Sequence, residues 1–181
     1  FLKNETTLTT NRWSAFFVDN GHWAEFYNCV IDAEDYQSVF TTSQTYKVYN
    51  STIVNLNGRL NGEAYQNHEF VFVNNIVTGS GSNMRVFPDT TYTLGHWGGS
   101  LYFEKNRLPQ LEDSYTYGAA GGHLTVVDND TLPVLFTNPS VGDYTLQNAD
   151  PHHNIGSLSY TYYTDMNGNA RPDVNYRVDL G

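Results

Sequence analysis

Four short segments of this chain superpose as apolar-x-Asn: Phe1 to Asn4 (FLKN), Glu25 to Asn28 (EFYN), Lys47 to Asn50 (KVYN) and Val71 to Asn74 (VFVN). Asn4, Asn28, Asn50 and Asn74 thus recur at a nearly constant step. After three of them the apolar pattern resumes as CVI, STIV and NIV, so each unit reads strand, asparagine, bend, strand. A period this short has no room for a strand plus a crossover helix. The economical solution is a coil of short strands, each coil stacked on the next at the strand spacing of roughly 4.8 Å and wound right-handed, as parallel crossovers almost always are.

In such a stack equivalent side chains lie over one another, which predicts a structural ladder of inward-facing Asn4, Asn28, Asn50 and Asn74. An amide carries two donors and an acceptor, so a column of amides bonds coil to coil and also satisfies the backbone freed at the bend; left alone, a buried amide costs about 1–3 kcal/mol. The composition agrees, because 14 Tyr, 10 Phe and 3 Trp suit pleated surfaces, and helix-period apolar patterns are scarce. Three Asn-x-Ser/Thr sequons occur, at Asn4, Asn50 and Asn129. The first two fall on the expected ladder, where a glycan has no room, which leaves Asn129 as the acceptor a eukaryotic host would use.

The repeat also sets the organisation. Three complete coils run from about Phe1 to Asn74, a fourth opens at Asn74, and a long loop occupies about residues 79–100. FEKN, Phe103 to Asn106, reads as a fifth ladder strand, its longer interval from Asn74 taken up by that loop. Residues 1–181 therefore form one domain: four to five coils, each of about 22–24 residues, over about 1–110, then a loop-rich closing segment over about 111–181. Phe1 already sits mid-coil, so further N-terminal coils are expected, as another segment or a separate chain.

This pattern resembles the right-handed parallel β-helix proteins of the pectate-lyase-like type, an all-β family of solenoids whose coils carry asparagine ladders. The C-terminal part strengthens the resemblance. PVLFTNPSVGDYTLQNADPHHNIGS, Pro133 to Ser157, is similar to the closing phrase of many secreted bacterial β-helix proteins, with Asp150-Pro151 where Ser-Pro is usual and His152-His153-Asn154 where small apolar residues are usual. TDMNGNARPDVNYRVDLG, Thr164 to Gly181, resembles the phrase that ends these proteins, with Asn167 in place of an Asp. The resemblance implies an extracellular or cell-surface bacterial protein. It leaves the reaction open, since the family spans polysaccharide lyases, glycoside hydrolases, epimerases, esterases, adhesins and phage tailspikes.

Charge narrows the partners. Nineteen acidic against nine basic residues, a formal net charge of -10, disfavour nucleic acid and anionic lipid, and no apolar run is long enough to cross a membrane. The single Cys29 excludes an internal disulfide and a cysteine cluster, and its apolar surroundings suit an inert thiol. Asp165-x-Asn167-x-Asn169 has part of a calcium-loop spacing, but Ala170 and Tyr176 stand where Gly and Glu are needed, so it reads as a turn. Asp128-Asn129-Asp130 reads as a solvated turn, and adjacent His152 and His153 point opposite ways on an extended strand. No metal site is assigned.

Counting on from each ladder asparagine by a similar step gives a second column, Phe17, Phe40, Tyr65 and Phe87. One reading makes it an aromatic core stack. The other turns it outward, because alternation places Ser38, Glu63 and Arg85 on its face and Val39, Ala64 and Val86 on the opposite one, and burying the charged set costs more. An outward column of Phe40, Tyr65 and Phe87, with Trp97 from the loop, suits a sugar chain, since rings stack on pyranose faces and charged groups bind hydroxyls or carboxylates. In the lyases that the chain resembles, an Arg or Lys acts at the carbon beside a uronate, often with calcium; Arg59 and Arg85, with Glu63, are the candidates by position. The sequence thus points to a polysaccharide-engaging β-helix, read first as part of a lyase or glycoside hydrolase, with a non-catalytic adhesin or a phage tailspike as alternatives.

Overall fold

The structure is a computed structural model that describes residues 12–16, 23–34, 36–40, 45–61, 69–79, 84, 86, 100–109, 123–158 and 164. It is all-β, with a short 3-10 turn at Pro139–Val141. In chain order the strands are β1 (Arg12–Phe16), β2 (Trp23–Tyr27), β3 (Val30–Asp32), β4 (Tyr36–Phe40), β5 (Thr45–Tyr49), β6 (Thr52–Leu56), β7 (Arg59–Asn61), β8 (Glu69–Val73), β9 (Ile76–Gly79), β10 (Ser100–Glu104), β11 (His123–Val127), β12 (Phe136–Asn138) and β13 (Asp143–Leu146).

Pairing follows the repeat. The strands preceding the bends, β2, β5, β8, β10 and β11, form one parallel five-stranded sheet, and those following them, β3, β6 and β9, form a parallel three-stranded sheet. A third parallel sheet runs β1, β4, β7, and parallel bridges carry the β3–β6–β9 line on from Ile76 to Arg107 to Asp130. Among the described strands only β12 and β13 pair antiparallel. Each parallel strand meets the equivalent strand of the next unit rather than its neighbour in sequence, as the short period requires.

The bend between the first two sheets has one geometry throughout. Asn28, Asn50, Asn74, Lys105 and Asp128 all adopt left-handed φ, between 48° and 59°. Asparagine enters this region more readily than most non-glycine residues, which explains three of the five. The other two, Lys105 and Asp128, are tied to each other by an ion pair of 2.9 Å.

Alternation along the strands builds the core. In the five-stranded sheet Ala24, Tyr46, Phe70 and Leu101 form one register row, and Phe26, Val48, Phe72 and Phe103 another, all belonging to or packed on one apolar cluster. The rings interlock across units, Phe72 on Phe103 at 5.5 Å and Phe70 on Phe103 at 5.7 Å, close to the separations aromatic pairs prefer. Ile31, Ile53 and Val77 supply the facing row from the second sheet. Between Ile53 and Leu56 the β6–β9 register shifts, and Asn55, at φ 58°, takes up the extra length as a bulge. Gly79 closes the same pair: a Cβ there would stand 2.1 Å from the Leu56 carbonyl oxygen.

Candidate functional site

Two faces of this framework carry polar chemistry: the inner side of the bend, and the outer side of the five-stranded sheet. At the bend, the amides that bond unit to unit stand one residue after the left-handed position, at Asn75, Asn106 and Asn129, with Ser51 and Cys29 completing the column. The Asn75 Oδ1 accepts from the Ser51 N–H at 2.9 Å, the Asn106 Oδ1 from the Asn75 N–H at 2.9 Å, and the Asn129 Oδ1 from the Asn106 N–H at 2.9 Å. Each Nδ2 also donates to a carbonyl in the preceding unit: Asn75 to Val48, Asn106 to Phe72 and Asn129 to Phe103. At the first unit Ser51 substitutes, its Oγ accepting from the Cys29 N–H at 3.1 Å. Burial pushes the Cys29 thiol above its ordinary pKa, in keeping with an inert residue.

The asparagines that announced the repeat do different work. Asn50 and Asn74 are buried, and Asn74 turns to the C-terminal segment: its Nδ2 donates to the Ser157 carbonyl at 2.8 Å and its Oδ1 accepts the Ser157 N–H at 2.6 Å. Asn28 likewise donates to the Thr164 carbonyl. The left-handed column therefore holds the C-terminal segment by its backbone. Asn4 lies outside the described residues. FEKN is corrected by one residue in the same way, since Glu104 pairs with Val73, which aligns Lys105 with Asn74 and Asn106 with Asn75.

Two further readings change. Asn129 is no glycan acceptor in the folded chain, because its Nδ2 is already donated to the carbonyls of Phe103 and Val127. Nor is Asp128-Asn129-Asp130 a solvated turn: it supplies a bend residue, a ladder amide and, in Asp130, a partner for the buried His152 at 3.1 Å. Among the described residues no group of three or more His, Cys, Asp or Glu could hold a metal ion.

The expected aromatic groove loses Phe40. Its side chain is 0% exposed, with its ring 5.4 Å from Phe26, 5.2 Å from Tyr46 and 5.6 Å from Phe70. Val39 is equally buried and joins the same cluster, so period-two alternation fails at the end of β4 and both residues reach the core. Tyr65, Phe87, Trp97, Glu63 and Arg85 lie outside the described residues. Arg59 opens β7, half-buried, opposite Ser38 of β4, away from the five-stranded sheet.

The outer side of the five-stranded sheet, which the repeat alone did not single out, carries three register rows. Trp23, Thr45, Glu69 and Ser100 form the first; Glu25, Lys47, Val71 and Tyr102 the second; Tyr27, Tyr49, Val73 and Glu104 the third. Exposure falls along the strands. Trp23 is 66% exposed and Glu25 and Glu69 are exposed, whereas Tyr49, Val71 and Val73 next to the bend are buried. The carboxylates are held: Tyr27 donates its hydroxyl to Glu25 at 2.6 Å, Tyr102 to Glu104 at 2.8 Å, and Lys47 stands 3.6 Å from Glu69. The Tyr27 and Tyr49 rings stack at 5.0 Å. Such a surface presents an exposed indole beside the charged groups of Glu25, Lys47 and Glu69. Comparison with protein-family models, curated proteins and solved structures gave no match.

Proposed function

We propose that this chain is a stretch of right-handed parallel β-helix from a secreted or cell-surface bacterial protein, and that it binds polysaccharide across the outer side of the five-stranded sheet. The observation that carries the reading is the first register row with its neighbours: exposed Trp23, then Thr45, Glu69 and Ser100, backed by Glu25 and Lys47. Strands stack at roughly 4.8 Å, close to the length of one sugar residue, so a glycan laid across the strands meets one polar or aromatic side chain per unit. The cyclic order of the three parallel sheets supports the β-helix, and their right hand follows from the near-universal hand of parallel crossovers.

The carboxylates are engaged by Tyr27, Tyr102 and Lys47, which favours binding over catalysis on this face and gives the adhesin reading its support. In the lyase or glycosidase reading, the chemistry falls to Arg59 at the start of β7, with Glu63 and Arg85 as the further candidates by sequence and calcium as an aid. A glycan array on the intact protein, followed by affinity measurement with Trp23→Ala and Glu69→Gln, tests the binding face. Loss of binding in both with unchanged melting supports it, and unchanged binding in both overturns it. Ultraviolet detection of unsaturated uronate products in the same incubations separates a lyase from an adhesin.

A further inference from the structure

Asn57 and Gly58 form the corner between the second and third parallel sheets. Pairing of β6 ends at Leu56, opposite Gly79, and pairing of β7 begins at Arg59, opposite Ser38, so both corner residues lie outside the ladders. Asn57 is exposed and Gly58 half-buried. Neither the Asn57 amide nor the Gly58 N–H makes a hydrogen bond among the described residues. The corner is pinned from its two sides instead, because Leu56 and Leu60 are fully buried in the core cluster.

An asparagine and a glycine placed in this way carry their own chemistry. The Gly58 nitrogen can attack Cγ of the Asn57 carboxamide and close a succinimide ring, and with no Cβ on Gly58 the approach is unhindered and the backbone free to turn toward it. The bond from the Gly58 nitrogen to Cγ forms, the Cγ–Nδ2 bond breaks, and Nδ2 leaves as ammonia with the proton that the Gly58 nitrogen gives up. Water then opens the ring at either carbonyl. One opening restores the main chain and leaves an aspartate. The other routes the main chain through Cβ and Cγ as an isoaspartate, which lengthens the backbone by a carbon atom.

Neighbouring asparagines are held back from this reaction. Asn75, Asn106 and Asn129 spend their amides on the bend column. Asn55 donates to Asp32 at 3.1 Å and precedes the bulky Leu56, and Asn138 precedes Pro139, whose nitrogen has no proton to give up. Asn61-Gly62 and Asn167-Gly168 repeat the dipeptide, but Gly62, Asn167 and Gly168 lie outside the described residues.

We propose that Asn57 is a self-modification site, which deamidates through a succinimide with Gly58 and leaves an isoaspartate or aspartate at the corner. The product adds a negative charge to the formal -10, immediately before Gly58 and Arg59. In the isoaspartate the added carbon has to be taken up between buried Leu56 and Leu60, which disturbs the pairing of Arg59 with Ser38. The change consumes only water and is irreversible, so it accumulates with the age of the molecule.

The test is incubation of the full chain at physiological temperature and mildly alkaline pH, with samples digested by trypsin and mapped by mass spectrometry beside a synthetic peptide spanning Val48 to Arg59. The expected result is an amide-to-acid mass change at Asn57 in the folded chain, at a rate approaching that in the free peptide, with the product split into two chromatographic forms and one of them a substrate for isoaspartyl methyltransferase. Asn50 lies in the same tryptic peptide and is buried, so in the folded chain it should keep its amide. Gly58→Ala should lose the modification over the same period. An unchanged Asn57 in the folded chain while the free peptide converts overturns the proposal, as does undiminished conversion in Gly58→Ala; the unaltered chain decides alone if that variant does not fold.

Discussion

Replacing Asn106 by leucine keeps the branching and the number of heavy atoms of the side chain and removes the amide at the centre of the bend column. Four hydrogen bonds go with it: Nδ2 to the Phe72 carbonyl at 2.7 Å, Nδ2 to Asn129 Oδ1 at 2.7 Å, and Oδ1 from the Asn75 N–H at 2.9 Å and from Asn75 Nδ2 at 3.1 Å. Three of the four partners are covered elsewhere. Asn129 Oδ1 still accepts the Asn106 backbone N–H, Asn75 Nδ2 still donates to Val48, and the Phe72 carbonyl remains within the β8–β10 ladder. The Asn75 N–H loses its buried partner, and for one unsatisfied group the loss is about 1–3 kcal/mol. Against a domain stability of about 5–15 kcal/mol this is a large fraction. Urea unfolding checks it: the midpoint should fall with the slope unchanged, since the surface exposed on unfolding is the same. A shift within about 0.5 kcal/mol of the unaltered chain, the range of ordinary surface substitutions, would refute the ladder as a source of stability.

Phe40→Ala should cost about 3–5 kcal/mol in the same assay, as truncating a buried aromatic does, and a cost below about 1 kcal/mol would restore the outward column. Gly79→Ala should destabilise by at least about 1–3 kcal/mol, because the new methyl meets the Leu56 backbone at 2.1 Å and must push the β6–β9 pair apart; thermal melting reads it. Asn74→Ala should leave the parallel sheets folded while the Ser157 amide loses its protection from hydrogen exchange, and equal protection there would dismiss the backbone capture of the C-terminal segment. The Cys29 thiol, raised by burial, should react with iodoacetamide only at pH above that of a free thiol; being neutral when folded, it contributes stability present below the unfolded pKa that declines as pH rises through the folded one.

The period and the strand class were legible in the chain because both are local. Asn28, Asn50 and Asn74 recur since asparagine tolerates the left-handed bend, and that preference belongs to the residue itself. The parallel pairing follows from the period, which excludes other connections. The role of each asparagine was not local. Which of two adjacent positions turns inward to bond between units, Asn74 or Asn75, depends on a register that only the neighbouring units define, and a slip of one residue exchanges the faces. The Lys105 bend shows the same thing, because its place was visible only once Glu104 had paired with Val73.

Phe40 reached the core because the ends of strands obey the space available between packed sheets rather than alternation, and that space is a property of the assembled stack. The contacts of His152 gave no signal in sequence: one of its acidic partners, Asp130, comes from the preceding parallel unit, just as Ser157 finds Asn74 from far along the chain. What the amino-acid sequence determined by itself was the repeat, its bend and its strands, each set by the conformational preference of a few neighbouring residues. Tertiary structure alone decided which side chains face one another across the units, because contacts between distant residues form only when the strands are stacked in register.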